Sequence, residues 1–233
     1  MNIDILAFGA HPDDVEISCG GTLLRYANEG KRIVIVDLTQ GELGTRGSAD
    51  LRMEECRAAS QILGLVDRIN LGMADGFFEE NEAHLHQIIR EIRHFRPKLI
   101  FANSIKDRHP DHGRAAALVA RAAFLSGLPK IITERNGISQ EAYRAPMLLH
   151  YIQDMYIEPD LVLDVSAYAE EKIKVVQCFS SQFYDPDSTE PETPISNAHF
   201  FEFMKGRMLQ FGRPIGAKYA EGFTVNRTLG IND

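Results

Sequence analysis

Residues 3–14 read Ile3-Asp4-Ile5-Leu6-Ala7-Phe8-Gly9-Ala10-His11-Pro12-Asp13-Asp14, a strand-like run over 3–8 that ends on an imidazole and two carboxylates. A short apolar run bounded by Gly and Pro reads as a buried strand. A helical stretch follows at 19–28, closed by Glu29-Gly30, and the same unit recurs down the chain. Further strand-like runs lie at 33–38, 68–71 and 99–102, with helical stretches at 51–63, 82–95 and 113–125. Alternating β and α units of this length imply right-handed crossovers and a mainly parallel sheet.

From residue 126 the signals weaken. Runs 147–152 and 161–165 read as further strands and 167–179 as a helix. Residues 185–197 hold three prolines among Asp, Ser, Thr and Glu and read as a long loop. A helix over 198–210 and an irregular tail to Asp233 follow. The expected fold is α/β, a Rossmann-like mainly parallel sheet flanked by helices with an irregular C-terminal region, in one domain spanning 1–233.

With 233 residues, 44% hydrophobic and 25% charged, the chain can bury one sizeable core. No apolar run approaches the ~18 residues of a membrane span, and the amino terminus enters a strand without a basic leader. Neither a membrane span nor a secretory signal is expected. Cys19, Cys56 and Cys178 lack metal-type spacing and are odd in number, so a reducing cytoplasm is the expected location. Net charge −8 disfavours nucleic acid as a partner.

His11-Pro12-Asp13-Asp14 and His109-Pro110-Asp111-His112 each follow a strand-like run. Strand ends of an open α/β sheet can meet in the crevice where ligands bind. Either cluster alone reads as well as a solvated turn with a helix cap, since proline and acids are normal in a first turn. Both together at parallel strand ends point to a site. His11 and Asp14, three apart, can chelate from one turn. His112, three beyond His109, closes a set of two imidazoles and one carboxylate with an open position for water. Zinc there would lower the pKa of its water toward ~7. Asp13, pointing away from Asp14, is the candidate general base. His109, protonated and oriented by Asp111, is the candidate oxyanion donor. His84, His86, His94, His150 and Cys19 read as surface or core residues, and His199 beside the long loop receives no role.

Joined to Cys19-Gly20-Gly21-Thr22-Leu23, Thr39-Gln40-Gly41-Glu42, Arg52, Glu55, Leu71-Gly72-Met73-Ala74-Asp75-Gly76, Ser181-Gln182-Phe183 and Tyr219-Ala220-Glu221-Gly222-Phe223, these motifs carry a resemblance. Over nearly its whole length the chain resembles the LmbE-like, or PIG-L, family of zinc-dependent N-acetylglucosamine deacetylases. The resemblance implies His11, Asp14 and His112 as metal ligands and Asp13, His109 and Asp111 as catalytic residues. It implies Arg52 and Asp75 as sugar-binding residues, with Glu42 in a loop shaping the same pocket. Asp107-Arg108 resembles the branch that deacetylates N-acetylglucosaminyl-malate in bacillithiol biosynthesis, where Arg108 would meet an aglycone carboxylate. A surface salt bridge is the other reading of Arg108. A small-molecule N-acetylglucosaminide as partner and a homo-oligomer such as a hexamer complete what the resemblance implies. Zinc and ferrous iron both suit the ligand set. Three functions stay open: hydrolysis of this or another N-acetylglucosamine compound, a non-haem iron oxygenase, and a sugar- or nucleotide-binding module without turnover. Non-haem iron oxygenase sites usually sit in antiparallel barrels, which this alternation does not resemble.

Overall fold

Apolar side chains alternate between two faces along the first strands, so helices must cover both sides. In the computed structural model, which describes residues 3–228, Ile5 and Ala7 of β1 (Ile5–Gly9) enter one core and Leu6 and Phe8 the other. Strand β2 (Ile33–Thr39) repeats this, with Ile33 and Ile35 against Val34 and Val36. The first core is closed by α1 (Asp14–Asn28) and α2 (Ala49–Leu63), through Val15, Leu23, Ala59 and Leu63. The second is closed by α3 (Glu82–Phe95) and α4 (Pro110–Leu125), through Ile88, Ile92, Leu118 and Val119. Ser48 and Asn81 cap α2 and α3 by accepting from Leu51 N and His84 N.

The other strands are β3 (Asp67–Met73), β4 (Leu99–Ala102), β7 (Met147–Tyr151), β8 (Leu161–Asp164) and β9 (Ala220–Val225). Their order in the sheet is β3-β2-β1-β4-β7-β9-β8. The first five of these pair in parallel. The chain moves outward from β1 through β2 to β3, then returns to place β4 on the other side. Strands β1 and β4 therefore flank the switch point at which open α/β sheets bind ligands. A separate hairpin joins β5 (Glu134–Arg135) to β6 (Ile138–Ser139). Its turn residues Asn136 and Gly137 have φ of 53° and 75°, as a type I′ turn requires. Helices α5 (Ala169–Gln177) and α6 (Phe200–Gly212) complete the chain.

Three expectations change. Helix α1 begins at Asp14 rather than residue 19, with a break at Cys19 (φ −136°, ψ 19°) that hides its first turn from the helical period. Helix α4 begins at Pro110 rather than residue 113, with His109 as its cap. The C-terminal region is not irregular, because β9 inserts antiparallel between β7 and β8. Glu221 and Gly222 disguise that strand. Glu221 is buried because Lys172 Nζ donates to it at 2.6 Å, and a Cβ at Gly222 would lie 2.9 Å from the Phe211 ring. The end of the expected tail, 229–233, lies outside the described residues. Among the described residues no helix is long and apolar enough to cross a membrane.

Candidate active site

At the end of β1 a Cβ on Gly9 would lie 2.9 Å from the His11 carbonyl oxygen, so the tight turn there needs glycine. That turn leaves Asp13 at φ 110°, a region in which Asp and Asn are the commonest non-glycine residues. Across the switch point, the loop after β4 delivers His109 to the cap of α4, with Pro110 at its first position. His11, Asp13, Asp14, His109 and His112 meet on the wall of a cavity of about 680 Å³.

Two rings are held from behind. His112 Nδ1 lies 2.5 Å from Asp107 Oδ2, and its Nε2 lies 3.1 Å from Asp14 Oδ1. His11 Nε2 lies 3.0 Å from Asp75 Oδ1 and 3.3 Å from Asp111 Oδ2, while its Nδ1 is 3.6 Å from Asp14 Oδ2. Each ring has its outer nitrogen on a carboxylate and its inner nitrogen toward Asp14, the arrangement that orients ligating imidazoles. Asn103 Nδ2 and Gln153 Nε2 donate to Asp14, each at 3.0 Å. Two oriented imidazoles around an anchored carboxylate fit a divalent cation, zinc and ferrous iron alike. Among the described residues, the triads whose ligand atoms all lie within 4.8 Å of one another are His11, His109 and His112, and His11, Asp75 and Asp111. Distance alone therefore favours His109 as the third ligand; the negative charge of Asp14, 3.1 Å from His112 Nε2 and 3.6 Å from His11 Nδ1, favours Asp14.

Burial opposes charge on His11, yet hydrogen bonds to Asp111, Asp14 and Asp75 hold its pKa well above the ordinary value. Burial opposes charge on His112 too, and there the Asp14 charge and the Asp107 hydrogen bond prevail and raise it to about 9. Burial works against ionising Asp14, but the charge of His112 and the hydrogen bond of His11 keep it well below the carboxylate range. Asp13 goes the other way. Burial pushes it up to about 7, with the Arg52 charge pulling down and the Asp14 charge pushing up. Adjacent carboxylates are thereby split, one held ionised and one poised to exchange a proton near neutrality. Burial and then the charges of His11 and His112 lower the pKa of His109.

The remaining site residues sit close by. Asp111 steers His109 through its main chain, whose N–H donates to His109 Nδ1 at 3.3 Å. The Asp111 carboxylate is engaged by Gly76 N, Arg114 Nη1 and His11. His109 thus lines the cavity with its Nδ1 accepting from Asp111 N, and burial together with the charges of His11 and His112 works against charge on its ring. Arg52 lines the cavity, but its Nη1 donates to Pro12 O at 2.5 Å and to Asp13 Oδ2 at 3.2 Å, bracing the loop that carries Asp13. Asp75 supports His11 and accepts from Leu43 N at 3.0 Å. Glu42 turns its carboxylate to Asp75 N and Gln40 N, so it shapes the loop from outside the cavity lining. Arg108 lies at the cavity wall, half exposed, with Nε donating to Asp154 Oδ2 at 2.6 Å.

Sequence reasoning missed three supports: Asp107 behind His112, and Asn103 and Gln153 on Asp14. Asp107 lies five residues before its partner and was legible only as a neighbour of Arg108. Gln153 follows β7, far away in sequence. Asp107→Asn should weaken metal affinity about 10–100-fold, the usual effect of losing such a support. Competition with a fluorescent chelator reads this directly, and an unchanged affinity would detach Asp107 from the metal.

Residues 6–124 match the PIG-L family profile, described as GlcNAc-PI de-N-acetylase. A diacetylchitobiose deacetylase of Thermococcus kodakarensis is 28% identical, over 94% of this chain and 81% of that protein. A probable N-acetyl-alpha-D-glucosaminyl L-malate deacetylase of Bacillus anthracis is 27% identical, over 77% of this chain and 81% of its own. A 4-oxalmesaconate hydratase of Pseudomonas putida is 25% identical, over 96% and 84%. Among solved structures, a conserved protein of Thermus thermophilus superposes with a TM-score of 0.87 at 33% identity, covering 98% of this chain and 97% of that one.

Proposed function

The chain belongs to the PIG-L family, and from that premise we propose that it is a metal-dependent deacetylase that hydrolyses the acetamide of an N-acetylglucosaminide. The observation that carries this reading is the meeting of His11, Asp14 and His112 at one point of the switch-point cavity, with Asp13 beside them. These three residues would hold the ion. When bound, a divalent ion there supplies Lewis acidity toward the acetyl carbonyl and toward water.

Asp13 takes a proton from the water that attacks the acetyl carbon. It returns that proton to the sugar nitrogen as the C–N bond breaks, so the products are acetate and a free amine. His109 donates its Nε2–H to the oxygen that gains charge in the tetrahedral intermediate. Arg52, which lines the cavity, and Asp75 hold sugar hydroxyls. The three cysteines are unpaired, which suits a reducing cytoplasm, and a homo-oligomer such as a hexamer belongs to the same reading. Acetate release from N-acetylglucosaminides, abolished by a chelator and restored by zinc or ferrous ion, tests the reaction. It also separates deacetylation from hydration, which yields no acetate.

The finer reading is an anionic aglycone, with N-acetylglucosaminyl-malate as the substrate. Its support is Arg108 together with Arg207, both on the cavity wall and both turned to residue 154. A substrate carboxylate has to displace Asp154 from Arg108. Arg108→Ala should cost about ten- to a hundredfold in kcat/KM with the malate conjugate, because a charge-assisted hydrogen bond is lost. The loss with methyl N-acetylglucosaminide should be far smaller. Equal losses on both substrates would reduce Arg108 to the surface salt bridge it also makes.

A further inference from the structure

The cavity holds more than an acetamide and one sugar ring need. One part of its wall is apolar, formed by Ile17 of α1 and by Met204, Met208 and Phe211 of α6. Beside it the wall turns polar. Met208 packs on Val165, and Gly21 lies against both Val165 and Glu221, which brings the buried Lys172–Glu221 pair to the same place. Both members of that pair line the cavity, as does Ser18.

These polar groups do not balance. Ser18 is 7% exposed, and its Oγ has no hydrogen-bond partner among the described residues. Lys172 is 1% exposed and has three N–H donors, of which Glu221 Oε1 takes one at 2.6 Å. No other acceptor reaches Lys172 among the described residues. Glu221 is already committed, since it also accepts from Gly21 N at 3.0 Å and Thr22 N at 2.7 Å where α1 breaks at Cys19. Lys172 and Glu221 cancel in charge, so this corner offers surplus donors with no net charge. Buried donors are seldom left unmatched. The matching group is an uncharged oxygen, brought in on something apolar enough to pass Met204 and Met208.

We propose that this arm of the cavity binds an apolar segment of the aglycone that ends in a hydroxyl or carbonyl oxygen, received by Ser18 Oγ and Lys172 Nζ. The inference rests on the deacetylase reading for turnover, though not for binding. It widens the range of aglycones beyond the anionic group met by Arg108.

Paired alkyl and ω-hydroxyalkyl N-acetylglucosaminides of increasing chain length test it. Affinity is measured by calorimetry on the metal-loaded Asp13→Asn protein, and acetate release is measured on the wild type. At the length that fills the arm, the hydroxyl-ended glycoside should bind about three- to tenfold tighter than its alkyl twin, the effect of one hydrogen bond. Ser18→Ala should lower that ratio, with Lys172 Nζ keeping what remains. Met208→Trp, which fills the arm, should remove the gain in affinity with chain length. Equal binding of both twins at every length overturns the proposal, as does a preference that Ser18→Ala leaves unchanged. Hydroxyl preference without acetate release overturns the deacetylase reading and leaves the arm standing. Acetate release without the preference does the reverse.

Discussion

Asp13→Asn should leave the protein folded and metal-loaded while lowering kcat by ~10²–10⁴-fold, the usual contribution of a general base. The backbone explains the choice of asparagine. Asp13 sits at φ 110°, where Asn is tolerated and Ala adds strain, so Asp13→Ala would mix a folding defect with a chemical one. A carboxamide fills the same space but cannot take the proton from the attacking water. It also leaves the buried Arg52 without its anion at 3.2 Å, although the contact with Pro12 O persists. Some loss of thermal stability should accompany the loss of activity, and it should appear equally in the metal-free protein. Acetate release and metal content measured on one preparation separate these effects. Near-normal turnover at full metal content would remove Asp13 as the base.

The parallel half of the sheet was legible because each of its strands carries its own signal. Runs such as 33–38 are apolar on both faces, and capped amphipathic helices separate them, so neither periodicity nor connection is ambiguous. The pairing of the two His-Pro-Asp motifs was legible for the same reason: each follows a strand, and adjacent strands in a doubly wound sheet end together. Elements whose logic is tertiary were not legible. Strand β9 looks like a loop because a glutamate and a glycine occupy its middle, and only the Lys172 amine and the Phe211 ring explain them. The first turn of α1 was lost at the break at Cys19, after which the buried Gly21 and Thr22 amides are capped from β9, some 200 positions away. The same limit applied within the site. Residue types could propose His11, Asp14 and His112 as a ligand set, but the duties of Asp75, Asp107 and Glu42 depend on which partner lies behind each one. The Asn136-Gly137 turn was the exception, a local signal that went unread.

If His11, Asp14 and His112 hold the ion as proposed, His112→Ala should remove the metal and the activity together, from about one equivalent per chain to a trace, because one of three ligands goes and an open fourth position cannot compensate. Wild type and variant dialysed against the same buffered zinc, then assayed for metal and for acetate release, supply the comparison. Added imidazole should restore part of both, since the gap left between Asp107 and Asp14 has the shape of that ring. The substitution also has an effect without metal. In the chelated protein His112 is raised to about 9 from an ordinary 6.5, by Asp14 and Asp107 against its own burial. A group raised on folding stabilises fully below its unfolded pKa, and that stability is lost as pH climbs through the folded value. The chelated wild type should therefore exceed chelated His112→Ala in Tm most at pH 6 and lose that advantage between pH 6.5 and 9. A Tm gap that is flat across this window would mean that Asp14 and Asp107 do not hold a charged imidazole. A variant that keeps its metal would move the third ligand to His109, the other ring within reach.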